Sequence, residues 1–128
     1  YDGVRFLNNP LKDAVLTSIF GEARTSSYHK GIDLAKNLGE EVHSAYEGTV
    51  IFSDYNNGGY GNLVIVQHEN DMQTYYAHLN EIYVSKGQYI GTEEVLGTVG
   101  TTGYSTGPHL HFELRVGGNP VDPTQYIL

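Results

Sequence analysis

The stretch that decides the fold is Gly103-Tyr104-Ser105-Thr106-Gly107-Pro108-His109-Leu110-His111-Phe112-Glu113-Leu114-Arg115-Val116, a turn-rich approach followed by an alternating run. Successive side chains of a β-strand point to opposite faces of the sheet, so the alternation predicts a strand with one apolar and one polar face. The apolar face carries Leu110, Phe112 and Leu114, and the polar face carries His109, His111 and Glu113. Gly107-Pro108 stops any helix and favours extended backbone. We therefore expect this strand to begin at the functional site.

The spacing of the two histidines indicates a metal site. Neutral imidazole is a common ligand of zinc and other transition metals, and two rings on one strand face point into one pocket. A lone histidine would be better explained as a water-facing side chain of a half-buried strand. Because a catalytic zinc usually takes three protein ligands and keeps one position for water, at least one ligand must come from elsewhere in the chain.

Composition favours an all-β domain. The chain has 128 residues, with 16 Gly, 11 Tyr and no Trp, which is typical of short strands joined by glycine turns in one domain. The formal charge of −8 disfavours nucleic acid and anionic membrane surfaces as partners. Since there is no Cys, any metal must be held by His, Asp or Glu.

The ends of the sequence predict that residues 1–128 form a single domain cut from a longer protein. The chain contains no apolar span long enough to cross a membrane, no signal peptide and no initiating Met. The low positive charge also predicts that the domain reaches its target through another domain or a larger particle.

Two further segments supply candidate site residues. His29 and Asp33 are four residues apart, on the same side of a strand, and Gly31 places no side chain between them. His78 is predicted to emerge at the end of a strand that begins at Met72. Considered singly, the first pair is also consistent with a surface histidine beside a solvated carboxylate. His78 is equally consistent with a ring that caps a strand through a hydrogen bond.

The ordered combination of these segments resembles a known family. His29-x-x-x-Asp33, Tyr76-Ala77-His78-Leu79 and Gly107-Pro108-His109-Leu110-His111-Phe112-Glu113 resemble the catalytic domain of the lysostaphin and LytM type of zinc metallopeptidase. That family cuts peptide bonds in bacterial peptidoglycan. The resemblance extends from about Ser18 to Pro123. It implies an antiparallel β fold with a long groove that is floored by a sheet and walled by loops.

The resemblance also implies roles for individual residues. It implies that Zn²⁺ is held by three ligands, His29, Asp33 and His111, and that the catalytic pair without a metal role is His78 and His109. Glu113 is then interpreted as a support for the site or the fold. The spacing itself does not say which histidine of the strand binds metal. His43 and His68 match no site position, and we expect them to be ordinary surface or strand histidines.

The implied function is hydrolysis of peptidoglycan peptides through a metal-activated water. The implied location is extracellular, periplasmic, in the cell wall or on a phage particle. Glycine bridges and D-alanyl cross-links are both open as targets, because specificity depends on loops around Ser26, Asn57 and Tyr104. Attack of water on the scissile carbonyl would create an oxyanion. A phenolic hydrogen-bond donor to that oxyanion could come from any of four tyrosines, Tyr28, Tyr60, Tyr76 and Tyr104.

Two rival functions use the same residues. Two histidines and one carboxylate also form the ligand set of non-haem iron oxygenases, although that set gives no role to His78 and His109. Some relatives of the metallopeptidases have lost ligands and serve as binding or activating modules. Here no ligand position is missing, which favours the enzyme.

Overall fold

The strands and their order confirm the all-β prediction. The structure, a computed structural model, describes residues 7–23, 28–103 and 105–127. Within these ranges ten strands are formed: β1 Val15–Ser18, β2 Ile32–Ala35, β3 Glu41–His43, β4 Gly48–Asn56, β5 Gly61–Gln67, β6 Met72–Ile82, β7 Tyr89–Ile90, β8 Val95–Val99, β9 His109–Val116 and β10 Asn119–Val121. The described residues include one short 3-10 helix, Pro123–Gln125, and no helix long and apolar enough to span a membrane.

The strands form one antiparallel sheet with β9 near its middle. The order is β1-β2-β9-β6-β5-β4-β7, with β10 also paired to β9, and with β8 joining β3 to β6. All nine strand pairings are antiparallel. Because β9 lies between β2 and β6, side chains from segments far apart in sequence meet on it.

The apolar face of β9 packs into the core as predicted. Leu110, Phe112 and Leu114 are all fully buried. The ring of Phe112 lies 5.4 Å from that of Tyr76 on β6. The polar face is buried as well, because Glu113 is only 1% exposed. The polar atoms buried on this face therefore need hydrogen-bond partners within the protein.

The pairing of β2 with β9 places Asp33 directly opposite His111. This close pairing depends on Gly31. A Cβ at Gly31 would collide with the backbone carbonyl of Phe112 and would lie 2.8 Å from Cγ of Glu113. The missing side chain therefore lets two backbones approach each other, rather than only leaving space between His29 and Asp33.

The predicted placement of His78 at a strand end is wrong, because β6 continues to Ile82. The partners of Asn62 and Val64 on β5 are Leu79 and Tyr76, so β6 carries one extra residue between them. His78 has φ 63°, in the left-handed region that non-glycine residues seldom adopt. Simple alternation would put His78 on the core face with Tyr76. The bulge turns its ring to the opposite face instead.

Candidate metal centre and active site

Three side chains converge on one point at the edge of β9. His29 Nε2 lies 3.2 Å from Asp33 Oδ1, and His111 Nδ1 lies 3.0 Å from the same oxygen. The two ring nitrogens are 3.1 Å apart. The three atoms thus form a nearly equilateral triangle, and both histidines are 8% exposed. The structure brings together the three residues that were predicted to hold a metal ion, and they form its candidate metal site.

The outer nitrogen of His29 is held by the end of β1. His29 Nδ1 lies 3.0 Å from the backbone carbonyl of Ile19 and 3.1 Å from Oγ of Ser18. A carbonyl can only accept, so Nδ1 carries the proton in this bond. The neutral ring then presents the lone pair of Nε2 to the triangle.

The outer nitrogen of His111 is held by a buried carboxylate. His111 Nε2 lies 2.7 Å from Glu113 Oε2, which also accepts a 2.6 Å hydrogen bond from the hydroxyl of Tyr60. Arg115 donates to Glu113 Oε1 from Nε at 2.8 Å and from Nη2 at 2.7 Å. Glu113 therefore orients His111 and is itself neutralised by Arg115, which agrees with its interpretation as a supporting residue.

The donor set fits a divalent cation on its chemistry. The contacts on the outer nitrogens select the tautomers in which His29 Nε2 and His111 Nδ1 carry lone pairs. With the carboxylate of Asp33, three electron-rich atoms then face one another within 3.2 Å. Such an arrangement is stabilised by a cation placed between the three atoms.

The charges of the triangle are tuned by burial and by hydrogen bonds. Burial would raise the pKa of Asp33, but when the two histidines donate protons to it instead of presenting lone pairs, hydrogen bonds from His111 and His29 outweigh burial and hold that pKa well below its usual range. Burial would likewise raise the pKa of Glu113, yet its hydrogen bonds with His111, Tyr60 and Arg115 lower it. Both carboxylates are therefore ionised at neutral pH.

His78 and His109 lie beside the triangle. Their ring centroids are 4.8 Å apart, and His109 Nε2 lies 3.8 Å from Asp33 Oδ1. Each ring directs Nδ1 to a backbone carbonyl, that of Thr102 at 2.7 Å for His78 and that of Gly107 at 2.9 Å for His109. Burial lowers the pKa of His78 to about 4. At neutral pH the Nε2 atom of His78 therefore carries a lone pair that can accept a proton.

The five predicted site residues line one groove. Its walls come from residues 28–30, residues 58–60 and residues 105–106, and its floor is formed by β2, β6 and β9. Tyr28 and Tyr60 line the groove, but the hydroxyl of Tyr60 is already bound to Glu113. Tyr76 is fully buried in the core, so it cannot serve as an oxyanion donor. Tyr104 and Ser26 lie outside the described residues.

The two remaining histidines among the described residues do not line the groove. His43 lies on β3, and its Nδ1 is 2.9 Å from the carbonyl of Glu93. His68 follows β5 and is only 5% exposed, so the expectation of a surface or strand position is wrong for it. Its Nδ1 lies 2.7 Å from the carbonyl of Glu47, and its Nε2 lies 2.8 Å from Oγ1 of Thr74.

Sequence reasoning did not find the support for the site. The contact of Tyr60 with Glu113 and the bond from His78 to Thr102 both join residues distant in sequence. The sequence did contain one signal for this support of the site. Glu113 and Arg115 share the strand face of His111, so a buried charge pair beside the ligand follows from the alternation.

Two solved structures of peptidases share this fold. A zinc containing peptidase from Vibrio cholerae superposes with a TM-score of 0.85 at 35% identity, covering 94% of this chain and 40% of that one. The catalytic domain of the antimicrobial peptidase lysostaphin from Staphylococcus simulans gives 0.83 at 26% identity, covering 89% and 92%. The fold and the clustered residues thus define a domain of the lysostaphin-like peptidase class.

Sequence comparison narrows this class to one family. The model of Peptidase family M23 matches residues 27–123, and the chain belongs to that family. The DD-carboxypeptidase/endopeptidase Mpg of Neisseria meningitidis serogroup B is 45% identical over 100 residues, which is 78% of this chain and 23% of that protein. The murein hydrolase activator NlpD of Salmonella dublin is 35% identical over 99 residues, 77% of this chain and 26% of that protein. The chain thus spans about a quarter of the length of these curated relatives.

Proposed function

We propose that this domain is a zinc-dependent endopeptidase that hydrolyses peptide bonds in bacterial peptidoglycan. The proposal is carried by the triangle of His29 Nε2, Asp33 Oδ1 and His111 Nδ1, whose sides measure 3.0–3.2 Å. Ligands about 2.0–2.1 Å from a tetrahedral zinc ion lie roughly 3.3 Å from one another. Two imidazoles and one carboxylate are also a ligand set found in catalytic zinc sites.

Zinc bound by these residues would act as a Lewis acid and would lower the pKa of a coordinated water towards neutrality. The protein's own part is to keep the three ligands unprotonated and correctly oriented. Ile19 and Glu113 do so for the two histidines by accepting the protons on their outer nitrogens.

The proton transfers are assigned to His78 and His109. Each ring has its Nδ1 at a backbone carbonyl, so each can receive a proton on Nε2 without losing that bond. The pair accepts the proton of the attacking water and returns a proton to the amine that leaves. A groove open to extended peptides would present the scissile bond between these rings and the three ligands.

The relatives support the proposed substrate and location. The Neisseria relative is named a DD-carboxypeptidase/endopeptidase and the Salmonella relative a murein hydrolase activator, and murein is peptidoglycan. We therefore place this domain at the bacterial cell envelope. Because the relatives are about four times as long as the matched region, the proposal concerns this domain and leaves other domains to target it.

An activator without catalysis is the second candidate, because a murein hydrolase activator is also among the relatives. The presence of all three ligand side chains and both further histidines in one groove favours the enzyme. An activator has no need for five convergent groups with such chemistry.

The test is hydrolysis by the purified, zinc-loaded domain. Two peptidoglycan preparations, one with glycine bridges and one with direct D-alanyl cross-links, are digested, and released fragments are identified by mass spectrometry with new amino groups counted. We expect fragments from at least one preparation, and loss of release after zinc is chelated. Zinc-loaded, folded domain that releases nothing from either wall would support the activator. Bound iron with oxygen-dependent turnover would contradict the zinc hydrolase.

A further inference from the structure

The orientation of His78 depends on one backbone carbonyl. The ring is 7% exposed and belongs to a residue in the left-handed region, where the local backbone alone does not hold it. Within the part of the chain that the structure describes, its side-chain hydrogen bond joins Nδ1 to the carbonyl of Thr102 at 2.7 Å. Thr102 lies in the loop between β8 and β9, and a loop carbonyl orients a ring only if the loop is itself fixed.

The side chain of Thr102 fixes that loop to the bulge of β6. Its Oγ1 accepts a 3.0 Å hydrogen bond from the backbone N–H of Asn62 and donates a 2.8 Å hydrogen bond to the carbonyl of Leu79. Asn62 and Leu79 are the cross-strand partners that border the extra residue. The hydroxyl thus bridges two strands where the bulge interrupts their regular pairing.

Close backbone packing brings Thr102 within reach of β5 and β6. A Cβ at Gly61 would collide with the carbonyl carbon of Thr102, and a Cβ at Gly103 would collide with the backbone of Gly59 and Gly61. Both glycines have positive φ, 68° and 73°. The loop that carries Thr102 therefore lies directly against the turn that forms one wall of the groove.

We propose that Thr102 is a positioning residue for the reaction. Its hydroxyl anchors the loop to β5 and β6, and its carbonyl thereby holds His78 as the Nδ1–H tautomer with Nε2 directed at the groove. This inference rests on the proposed function only in treating His78 as part of the catalytic pair. Without the hydroxyl, we expect the carbonyl to shift and the ring to sample other orientations.

Thr98 provides a control for Thr102, because its hydroxyl is also buried and bonded to backbone but supports only the fold. Thr98 on β8 is 4% exposed, and its Oγ1 accepts a 3.2 Å hydrogen bond from the backbone N–H of Glu81. Like Thr102 it joins a side-chain hydroxyl to the backbone of a neighbouring chain segment, but it holds no site residue. Replacing either threonine by Val removes the hydroxyl and keeps the shape of the side chain.

The experiment compares Thr102→Val, Thr102→Ser and Thr98→Val as zinc-loaded domains. For Thr102→Val we expect kcat on a soluble cross-linked muropeptide to fall about tenfold, since a small displacement of a catalytic group is costly. KM and zinc content should remain within about twofold of the unmodified domain, because Thr102 contacts no ligand. Thr102→Ser should restore kcat to within about twofold, and Thr98→Val should leave it unchanged. If Thr102→Val does not fold, Thr102→Ala removes the same hydroxyl with a smaller side chain.

A second measurement needs no turnover. Nitrogen-15 NMR of the histidine rings should show His78 as the Nδ1–H tautomer in the unmodified domain and as a mixture in Thr102→Val. Unchanged kcat together with a single tautomer in the variant would overturn the proposal. If the unmodified domain cleaves nothing, the proposed function fails, while the NMR comparison still decides whether Thr102 positions His78.

Discussion

The metal centre and the contacts of His68 are two buried histidine sites that differ in one respect. His111 is 8% exposed and His68 is 5% exposed, so burial does not separate them. Each ring nitrogen of His68 meets one partner, the carbonyl of Glu47 and the hydroxyl of Thr74. At the metal centre, His111 Nδ1 faces both a carboxylate oxygen and a second ring nitrogen.

Burial of histidines alone therefore does not mark a functional site. What marks it is a group of hydrogen-bond acceptors that face one another without a donor between them. The hydrogen bonds from His68 continue through Thr74 to the hydroxyl of Tyr76, which accepts the N–H of Ala45. Every group in that chain is satisfied by the protein. The three acceptors at the metal centre require a cation or protons to bring them together. We expect substitutions at the two sites to separate metal binding from stability.

The largest effect is expected for His111→Ala. Removing one of three ligands should abolish stoichiometric zinc binding and lower turnover at least about a thousandfold. Zinc content by mass spectrometry and amino-group release measure the two effects. His68→Ala should keep its zinc. Full zinc occupancy in the His111 variant would refute the ligand assignment.

His109→Ala should separate the catalytic pair from the ligands. The ring lies beside the triangle without belonging to it, so we expect zinc to be retained and kcat to fall about 10²–10⁴-fold. The matched control is His43→Ala, which removes another ring bound to a backbone carbonyl but remote from the groove. Loss of zinc in the His109 variant would make this residue a ligand instead.

Glu113→Gln should weaken the metal site without removing a ligand. The amide keeps the size of the carboxylate but loses the charge that raises the basicity of His111, so we expect zinc affinity to fall about 10–100-fold. A competition titration with a chromogenic chelator measures it. Glu81→Gln is the control for the same change on the surface. Equal affinity in both variants would mean that Glu113 only serves the fold.

His68→Ala should lower stability and spare the metal site. It removes the partner of the part-buried carbonyl of Glu47 and one of the two partners of the buried hydroxyl of Thr74, which costs about 2–3 kcal/mol. Urea unfolding measures the loss, and zinc affinity should stay unchanged. A weakened zinc site would show that the two histidine sites are coupled through β6.

The smallest expected effect is the pH dependence of the stability that is lost in His68→Ala. Burial lowers the pKa of His68 below the ordinary value of 6.5, despite its bond to the carbonyl of Glu47. The unfolded chain therefore binds the proton more readily, and the stabilisation from His68 is complete above pH 6.5 and declines as pH falls. The stability gap between the unmodified domain and His68→Ala should narrow from pH 7.5 to 5.5, by at most about 1.4 kcal/mol per unit. A constant gap would contradict the assignment.

Strand alternation predicted much of the site because it is a local property. It placed His109, His111 and Glu113 on one face of β9, and the structure agrees with that placement. It could not show that Asp33 lies opposite His111, because the register of β2 against β9 is set by contacts between distant segments. The resemblance to a family implied only that Asp33 and His111 hold the same metal ion.

The error at His78 has a physical cause. His78 was predicted at a strand end, but β6 continues through a bulge with a left-handed residue at this position and runs on to Ile82. No glycine marks the position, so the sequence carries no local signal for it. The anchoring of the bulge by Thr102 was invisible for the same reason, since it depends on three chain segments that meet only after folding.

The central claim is that His29, Asp33 and His111 share one metal ion. It is tested most directly by an anomalous difference map, recorded at the zinc absorption edge, from crystals of the zinc-loaded domain. We expect one strong peak about 2.0–2.1 Å from His29 Nε2, Asp33 Oδ1 and His111 Nδ1. A peak bound instead by His78 or His109, with the three atoms too far apart to share it, would contradict the account.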